Sequence, residues 1–190
     1  MIWALIIVGA YVAGMFPSAI LVARASGVDI TSVGSGNPGA ANITRNLGWQ
    51  RGALVFTLDG AKGAIGVGIG LVVDDRPLAY LAGAAAILGH CYPISRGFKG
   101  GKGVATGGGA FAVLTPLVFL VLVPAWVIIS KLTKTAALAS LIVLCAIPVG
   151  VWVSGSDLWE IPASIGIAIL IALRHASNIQ RMRSGSELRL

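Results

Sequence analysis

Charge is scarce in this chain. Only 11% of its 190 residues are Asp, Glu, Lys or Arg, while 56% are hydrophobic. So few charges cannot clothe a water-soluble core that carries so much apolar surface, which excludes an ordinary soluble globule. Cysteine and histidine are scarcer still, with two of each. Cys91 and Cys145 lie in or beside apolar stretches without C-x-x-C spacing, so they read as small buried hydrophobes and not as a disulfide or metal pair. There is no H-E-x-x-H, no His/Cys/Asp cluster with metal-ligand spacing and no G-x-S-x-G elbow, so neither a metal nor any other cofactor is expected. Alternation of polar and apolar residues is missing too, which argues against a transmembrane barrel.

What the chain has is long apolar runs. Blocks at 2–23, 52–73, 77–94, 135–153 and 161–173 approach the length of about 20 residues that a membrane-crossing helix needs. A sixth apolar stretch, 104–130, is broken by Gly107–Gly109, Pro116 and Pro124. Met1–Ala23 imitates a signal peptide but has no Lys or Arg before Arg24 and is interrupted by Pro17 and Ser18, so a retained first span is expected.

Charge then sets the topology. A net charge of +7 would suggest nucleic-acid binding in a soluble protein, but in a membrane chain the excess collects in cytoplasmic loops, and no nucleic-acid partner is expected. Placing 24–51 in the cytoplasm makes Asp74-Asp75-Arg76 an outside turn and returns Arg96, Lys99 and Lys102 inside. Lys131, Lys134 and the basic C-terminus also belong inside, so 104–130 must leave the cytoplasmic face and come back. It is shorter than two crossings of about 20 residues each, which predicts two short helices or a re-entrant hairpin broken near Pro116. The expectation is an all-α polytopic membrane protein: a single domain over 1–190 with about seven helical segments, the N-terminus outside and the C-terminus cytoplasmic. Every basic residue except Lys62 and Arg76 then faces the cytoplasm.

Four polar constellations interrupt this apolar background. Gly34-Ser35-Gly36-Asn37-Pro38-Gly39-Ala40-Ala41-Asn42, followed by Arg45, contains G-x-G-x-x-G, but it leads into a membrane span and not into a βαβ unit, so it is not a dinucleotide fingerprint. Ser35, Asn37, Asn42 and Arg45 give it more hydrogen-bonding capacity than a turn requires. Asp59 and Lys62, three apart inside or at the edge of the second span, can share a helix face and neutralise each other, either as a structural pair or in contact with substrate. Residues 97–109, G-F-K-G-G-K-G-V-A-T-G-G-G, resemble a cradle for an anion such as phosphate, because glycine lets backbone N–H groups approach a ligand and Lys99 and Lys102 add positive charge. Arg stands at 96 and Gly at 103 where a Walker A loop needs Gly and Ser or Thr, so nucleotide hydrolysis is excluded. Arg174, His175 and Asn178 would share a side of a helix continuing through the last apolar block.

Together these segments resemble the bacterial acyl-phosphate:glycerol-3-phosphate acyltransferases, the PlsY family. Gly34–Asn42 matches G-S-G-N-x-G-A-T-N except at Ala41, where the family usually has Thr, which puts the geometry of that loop in question more than the reaction. Asp59–Gly63 matches D-x-x-K-G, Gly89–Pro93 matches G-H-x-Y-P, and Phe98–Thr106 matches F-K-G-G-K-G-V-A-T. Leu138–Ser140 matches L-A-S and Arg174–Ile179 matches R-H-x-x-N-I, so the ordered set covers nearly the whole chain. Neither histidine is followed five residues later by Asp, so the H-x-x-x-x-D motif of the common acyl-CoA acyltransferases is absent.

The resemblance implies a multi-pass enzyme of the bacterial cytoplasmic membrane, its site facing the cytoplasm. It would transfer an acyl chain from acyl phosphate to the 1-hydroxyl of sn-glycerol 3-phosphate. It supports the site as a whole, within which the residues' chemistry leads us to expect Ser35, Lys102 and His175 as catalytic residues, and Gly34, Gly36, Asn37, Asn42, Arg45, Lys62, Lys99, Gly100, Gly101, Gly103, Ser140 and Asn178 as substrate-binding residues. Both substrates carry phosphate and one carries a long apolar tail, which suits a basic glycine-rich pocket in contact with membrane lipid. The acyl phosphate is already activated, so no covalent enzyme nucleophile is required. The rival reading is a transporter for a phosphorylated anion, which shares broken helices and intramembrane charge. The acidic outside turns at Asp74, Asp75, Asp157 and Glu160 suit anion entry poorly.

Overall fold

Breaks in the apolar runs, several of them at glycine or proline, leave ten α-helices and one 3-10 turn. In the computed structural model, which describes residues 1–190, these are α1 (Ile2–Gly14), α2 (Ser18–Arg24), α3 (Ala40–Leu47), α4 (Trp49–Val73), α5 (Arg76–Cys91), α6 (Val104–Leu114), α7 (Pro116–Thr133), α8 (Ala136–Val153), α9 (Glu160–Leu173) and α10 (Ala176–Arg183), with the 3-10 turn at Ile94–Arg96. There are no strands. Span-length apolar segments number five: Ile2–Arg24, Trp49–Val73, Arg76–Arg96, Pro116–Thr133 and Ala136–Val153. Counting the bent pair α9–α10 as one makes six. The seventh expected segment, α6, has 11 residues. At 1.5 Å per residue it is only about 16 Å long, too short to cross hydrocarbon.

The region 104–130 therefore departs from the expectation of two short helices. Its break does fall before Pro116, with Thr115 non-helical ahead of a proline at the first helical position. The second part, however, continues through Pro124 and the expected endpoint to Thr133, a full span of 18 residues. Within the chain two compact units are described, Met1–Leu114 and Thr115–Leu190.

In the first unit α4 lies against α1, α3, α5 and α6, and α5 against α1 and α6. Without a hydrophobic force to bring helices together in lipid, close backbone approach at small residues must do so. Gly63 and Gly109 show this directly. A Cβ on Gly63 would strike the Thr106 carbonyl oxygen, and one on Gly109 would strike Gly60 O. Gly107–Gly109, grouped with the anion cradle from sequence, thus belong to α6 and its contact with α4. Arg76 Nη2 donates to Leu114 O at 3.1 Å, satisfying a carbonyl at the end of α6.

In the second unit α8 packs against α7 and α9. Cys91, in the first unit, is buried as expected, but Cys145 on α8 is exposed. Glu160, expected in an outside acidic turn, is 1% exposed.

Candidate active site

The first motif is a loop wound around one amide. Asn42, near the start of α3, is buried. Its Oδ1 accepts the Ser35 N–H at 3.0 Å, and its Nδ2 donates to Ile30 O at 3.2 Å and Val33 O at 3.1 Å. Asn46 Nδ2 adds a donor to the same Oδ1 at 3.2 Å. Those bonds fill the hydrogen-bonding capacity of the Asn42 amide. Asn42, expected to touch substrate, shapes through these bonds the loop presenting Ser35 and Asn37. Gly34 and Gly36 take φ of +58° and +66°, the left-handed backbone that makes glycine the natural choice at both. Ser35 and Asn37 are half-buried, with the Asn37 N–H 3.4 Å from Ser35 Oγ, and Arg45 is half-buried on α3. Ahead of the loop, the Thr31 hydroxyl and N–H hold the Asp29 carboxyl below the usual carboxylate range.

The second constellation is an ion pair deep in the helices. Lys62 Nζ donates to Asp59 Oδ1 at 2.6 Å, and the two side chains are 6% and 3% exposed. The same ammonium donates to Phe16 O at 2.6 Å and lies 5.9 Å from the Phe16 ring centroid. Phe16 sits in the break between α1 and α2, where Pro17 interrupts the helical ladder. Lys62, expected among the substrate contacts, is occupied in neutralising Asp59 and satisfying a carbonyl freed by that break. His90 Nδ1 lies 3.6 Å from Asp59 Oδ1, adding a third titratable group that sequence spacing did not connect to the pair.

The glycine-rich segment is built on this base. The Gly101 N–H donates to His90 O at 3.0 Å. A Cβ on Gly101 would run into the His90 ring, and one on Gly100 would run into the carbonyls of His90 and Cys91. Gly103 takes φ +84°, and its carbonyl accepts the Gly107 N–H at 2.7 Å as α6 begins. Half-buried Lys102 therefore stands two residues ahead of the first helical residue, Val104. A helix N-terminus leaves its first N–H groups without intrahelical acceptors and carries partial positive charge, so it and Lys102 reinforce each other toward an anion. Lys99 is exposed. Gly101→Ala is expected to displace either the loop or the His90 ring. It should lower turnover at least about tenfold with little change in expression, measured by initial rates beside detergent-solubilised yield.

In the second unit the last apolar helix does not continue as expected. α9 and α10 meet at 59°, and His175 occupies the corner, 2% exposed, with φ −95° and ψ 6°. His175 Nδ1 is 2.9 Å from Ile171 O. A carbonyl only accepts, so Nδ1 carries hydrogen and Nε2 is the basic nitrogen of the neutral ring. Asn178, one turn into α10, is buried and donates to Glu187 Oε1 at 2.8 Å, while Arg181 Nε reaches Glu187 Oε2 at 3.1 Å. Ser140, buried on α8, donates to Ala136 O at 2.8 Å and accepts the Trp126 indole N–H at 2.9 Å. Sequence reasoning missed Glu187 and Trp126. Glu187 lies beyond the helical pattern in the tail, and Trp126 is one apolar residue among many on α7.

Known proteins resemble this chain along nearly its whole length. The sequence model of the family described as glycerol-3-phosphate acyltransferase matches residues 4–185. A glycerol-3-phosphate acyltransferase of Thermosipho melanesiensis is 39% identical over 179 residues, covering 93% of this chain and 87% of the relative. One from Shewanella sp. strain MR-4 is 41% identical over 186 residues, covering 96% and 90%. The crystal structure of PlsY (YgiH), an integral membrane glycerol 3-phosphate acyltransferase, superposes in its glycerol 3-phosphate form with a TM-score of 0.94 at 36% identity, covering all of this chain and 96% of the other. Its lysophosphatidic acid form gives 0.92. With a match running from the first helix to the tail, the chain belongs to the glycerol-3-phosphate acyltransferase family.

Proposed function

We propose that this membrane acyltransferase uses acyl phosphate as donor and acylates the 1-hydroxyl of sn-glycerol 3-phosphate, releasing 1-acyl-glycerol 3-phosphate (lysophosphatidic acid) and inorganic phosphate. The observation that carries the reading is Lys102 on its glycine turn ahead of α6, where a lysine and a helix N-terminus favour the same phosphate charge. In the reaction the hydroxyl oxygen attacks the acyl carbonyl carbon and the bond from that carbon to the phosphate oxygen breaks. Lys102 and its neighbouring backbone hold the phosphate whose charge grows as it leaves.

Ser35 and Asn37, presented by the Asn42-centred loop, bind the acyl-phosphate head or its carbonyl oxygen, and Gly34 and Gly36 give that loop its shape. Arg45, Ser140, His175 and Asn178 hold glycerol 3-phosphate. The hydroxyl proton passes to His175 Nε2 or to a phosphate oxygen of a substrate. Ser140 offers an acceptor only, because its own hydrogen is on Ala136 O. Asn178 is oriented by Glu187. The site faces the cytoplasm of the bacterial inner membrane on this reading, supported by the concentration of Lys and Arg in the loops that carry it.

The test supplies purified protein with glycerol 3-phosphate and, separately, acyl phosphate, acyl-CoA or acyl carrier protein bearing an acyl chain. Lysophosphatidic acid is expected only with acyl phosphate, with one inorganic phosphate released per product. Product formation from acyl-CoA without phosphate release would overturn the donor assignment.

A further inference from the structure

The turn that carries the glycine-rich segment has an aromatic residue where its backbone favours glycine. The Lys99 N–H donates to Arg96 O at 3.2 Å, closing a four-residue turn. Its two central residues are both left-handed: Gly97 at φ 56°, ψ 39°, and Phe98 at φ 63°. Positive φ at both central positions is the type I′ pattern, which Gly, Asn and Asp dominate because a Cβ crowds the left-handed backbone. The Phe98 N–H also donates to Pro93 O at 3.0 Å, so the strained residue is pinned from two sides.

More than half of Phe98 is exposed, 55%, beside Ile94 at 62%. An aromatic that is both strained and exposed is doubly unfavourable in water. The turn, however, begins where the apolar span Arg76–Arg96 ends, which is the depth at which aromatic rings rest among lipid headgroups. The exposed Lys99 beside it would meet anionic headgroups.

We propose that Phe98 inserts into the interfacial layer of an anionic bilayer and anchors the glycine-rich turn at headgroup level. Lys102, four residues on, is thereby held at the depth of a phosphate whose acyl chain lies in the membrane. That consequence rests on the acyl-transfer reading, and the anchor itself does not.

The test places a nitroxide on Phe98→Cys in a Cys145→Ala background, with Cys91 left buried, in phosphatidylethanolamine/phosphatidylglycerol vesicles. Molecular oxygen is expected to relax the label more strongly than a water-soluble nickel chelate, with the reverse order at a reference label on Asp75→Cys. Nickel-dominated relaxation at 98 would overturn the anchor. A second arm compares Phe98→Gly with Phe98→Leu. Glycine relieves the backbone and should leave the thermal midpoint in detergent equal or higher, yet raise KM for a long-chain acyl donor in vesicles about tenfold, while leucine stays within about threefold. A wild-type KM in Phe98→Gly would overturn the orienting role even if the label lies in lipid. If no variant uses acyl phosphate, the donor reading fails while the label still decides the anchor.

Discussion

Lys102→Ala is expected to lower turnover by about 10²–10³-fold, the loss that follows removal of one preorganised donor from a developing oxyanion. Lys102 lies in the turn ahead of α6, outside the helix-to-helix contacts made by Gly60, Gly63 and Gly109, so the variant should fold. Its thermal midpoint should match the wild type, and the deficit should appear in kcat more than in KM, because charge on the phosphate grows as the acyl bond breaks. Lys102→Arg should recover part of the rate, since it restores charge but not the compact ammonium geometry. Lys99→Ala, removing an exposed charge three residues away, should cost much less. Initial rates of phosphate release for the three variants, with circular dichroism melts, check the series. Wild-type kinetics in Lys102→Ala would remove phosphate binding from this turn.

Much of the molecule is legible in its amino-acid sequence, because lipid constrains sequence strongly. Runs near 20 apolar residues are read as helices, and Pro17 and Pro116 interrupt them, whereas Pro124 and Pro148 are carried inside α7 and α8. The Asp59–Lys62 pair follows from spacing and from the cost of a lone charge at membrane depth. What sequence does not separate is glycine that shapes a loop from glycine that lets two helices meet. Gly100 and Gly101 fold onto His90, while Gly107–Gly109, in the same run, belong to α6, with Gly109 seated on Gly60. Composition is identical in the two cases, and only the position of the partner backbone tells them apart.

Polar side chains pose the same problem. Asn42 and Asn37 look alike in the motif, yet Asn42 is consumed by the loop it shapes. The corner at His175 has no warning either. No proline or glycine marks it, and the helix expected to run straight through it is bent there by 59°. Glu187, which orients Asn178, lies nine residues further along in a tail without periodicity.

The second large effect concerns the buried pair. Asp59→Leu leaves the Lys62 ammonium with Phe16 O and no counter-charge, and is expected to cost about 3–5 kcal/mol, the usual penalty for breaking a buried ion pair from one side. Lys62→Met leaves the Asp59 carboxylate facing His90 at 3.6 Å and should cost a similar amount. The double variant Asp59→Leu/Lys62→Met removes both charges while keeping side chains of similar branching and length. It should recover most of the loss, because the desolvation cost of both ions disappears together. Unfolding by titration with a denaturing detergent measures all four proteins as one cycle. Activity of the double variant then separates the two readings of Lys62. A structural pair predicts turnover within about tenfold of wild type once the fold is restored. A well-folded double variant without activity would return Lys62 to the substrate. The geometry favours the first outcome: with Asp59 and Phe16 O both at 2.6 Å, the Lys62 ammonium already serves the break between α1 and α2 and the floor beneath His90.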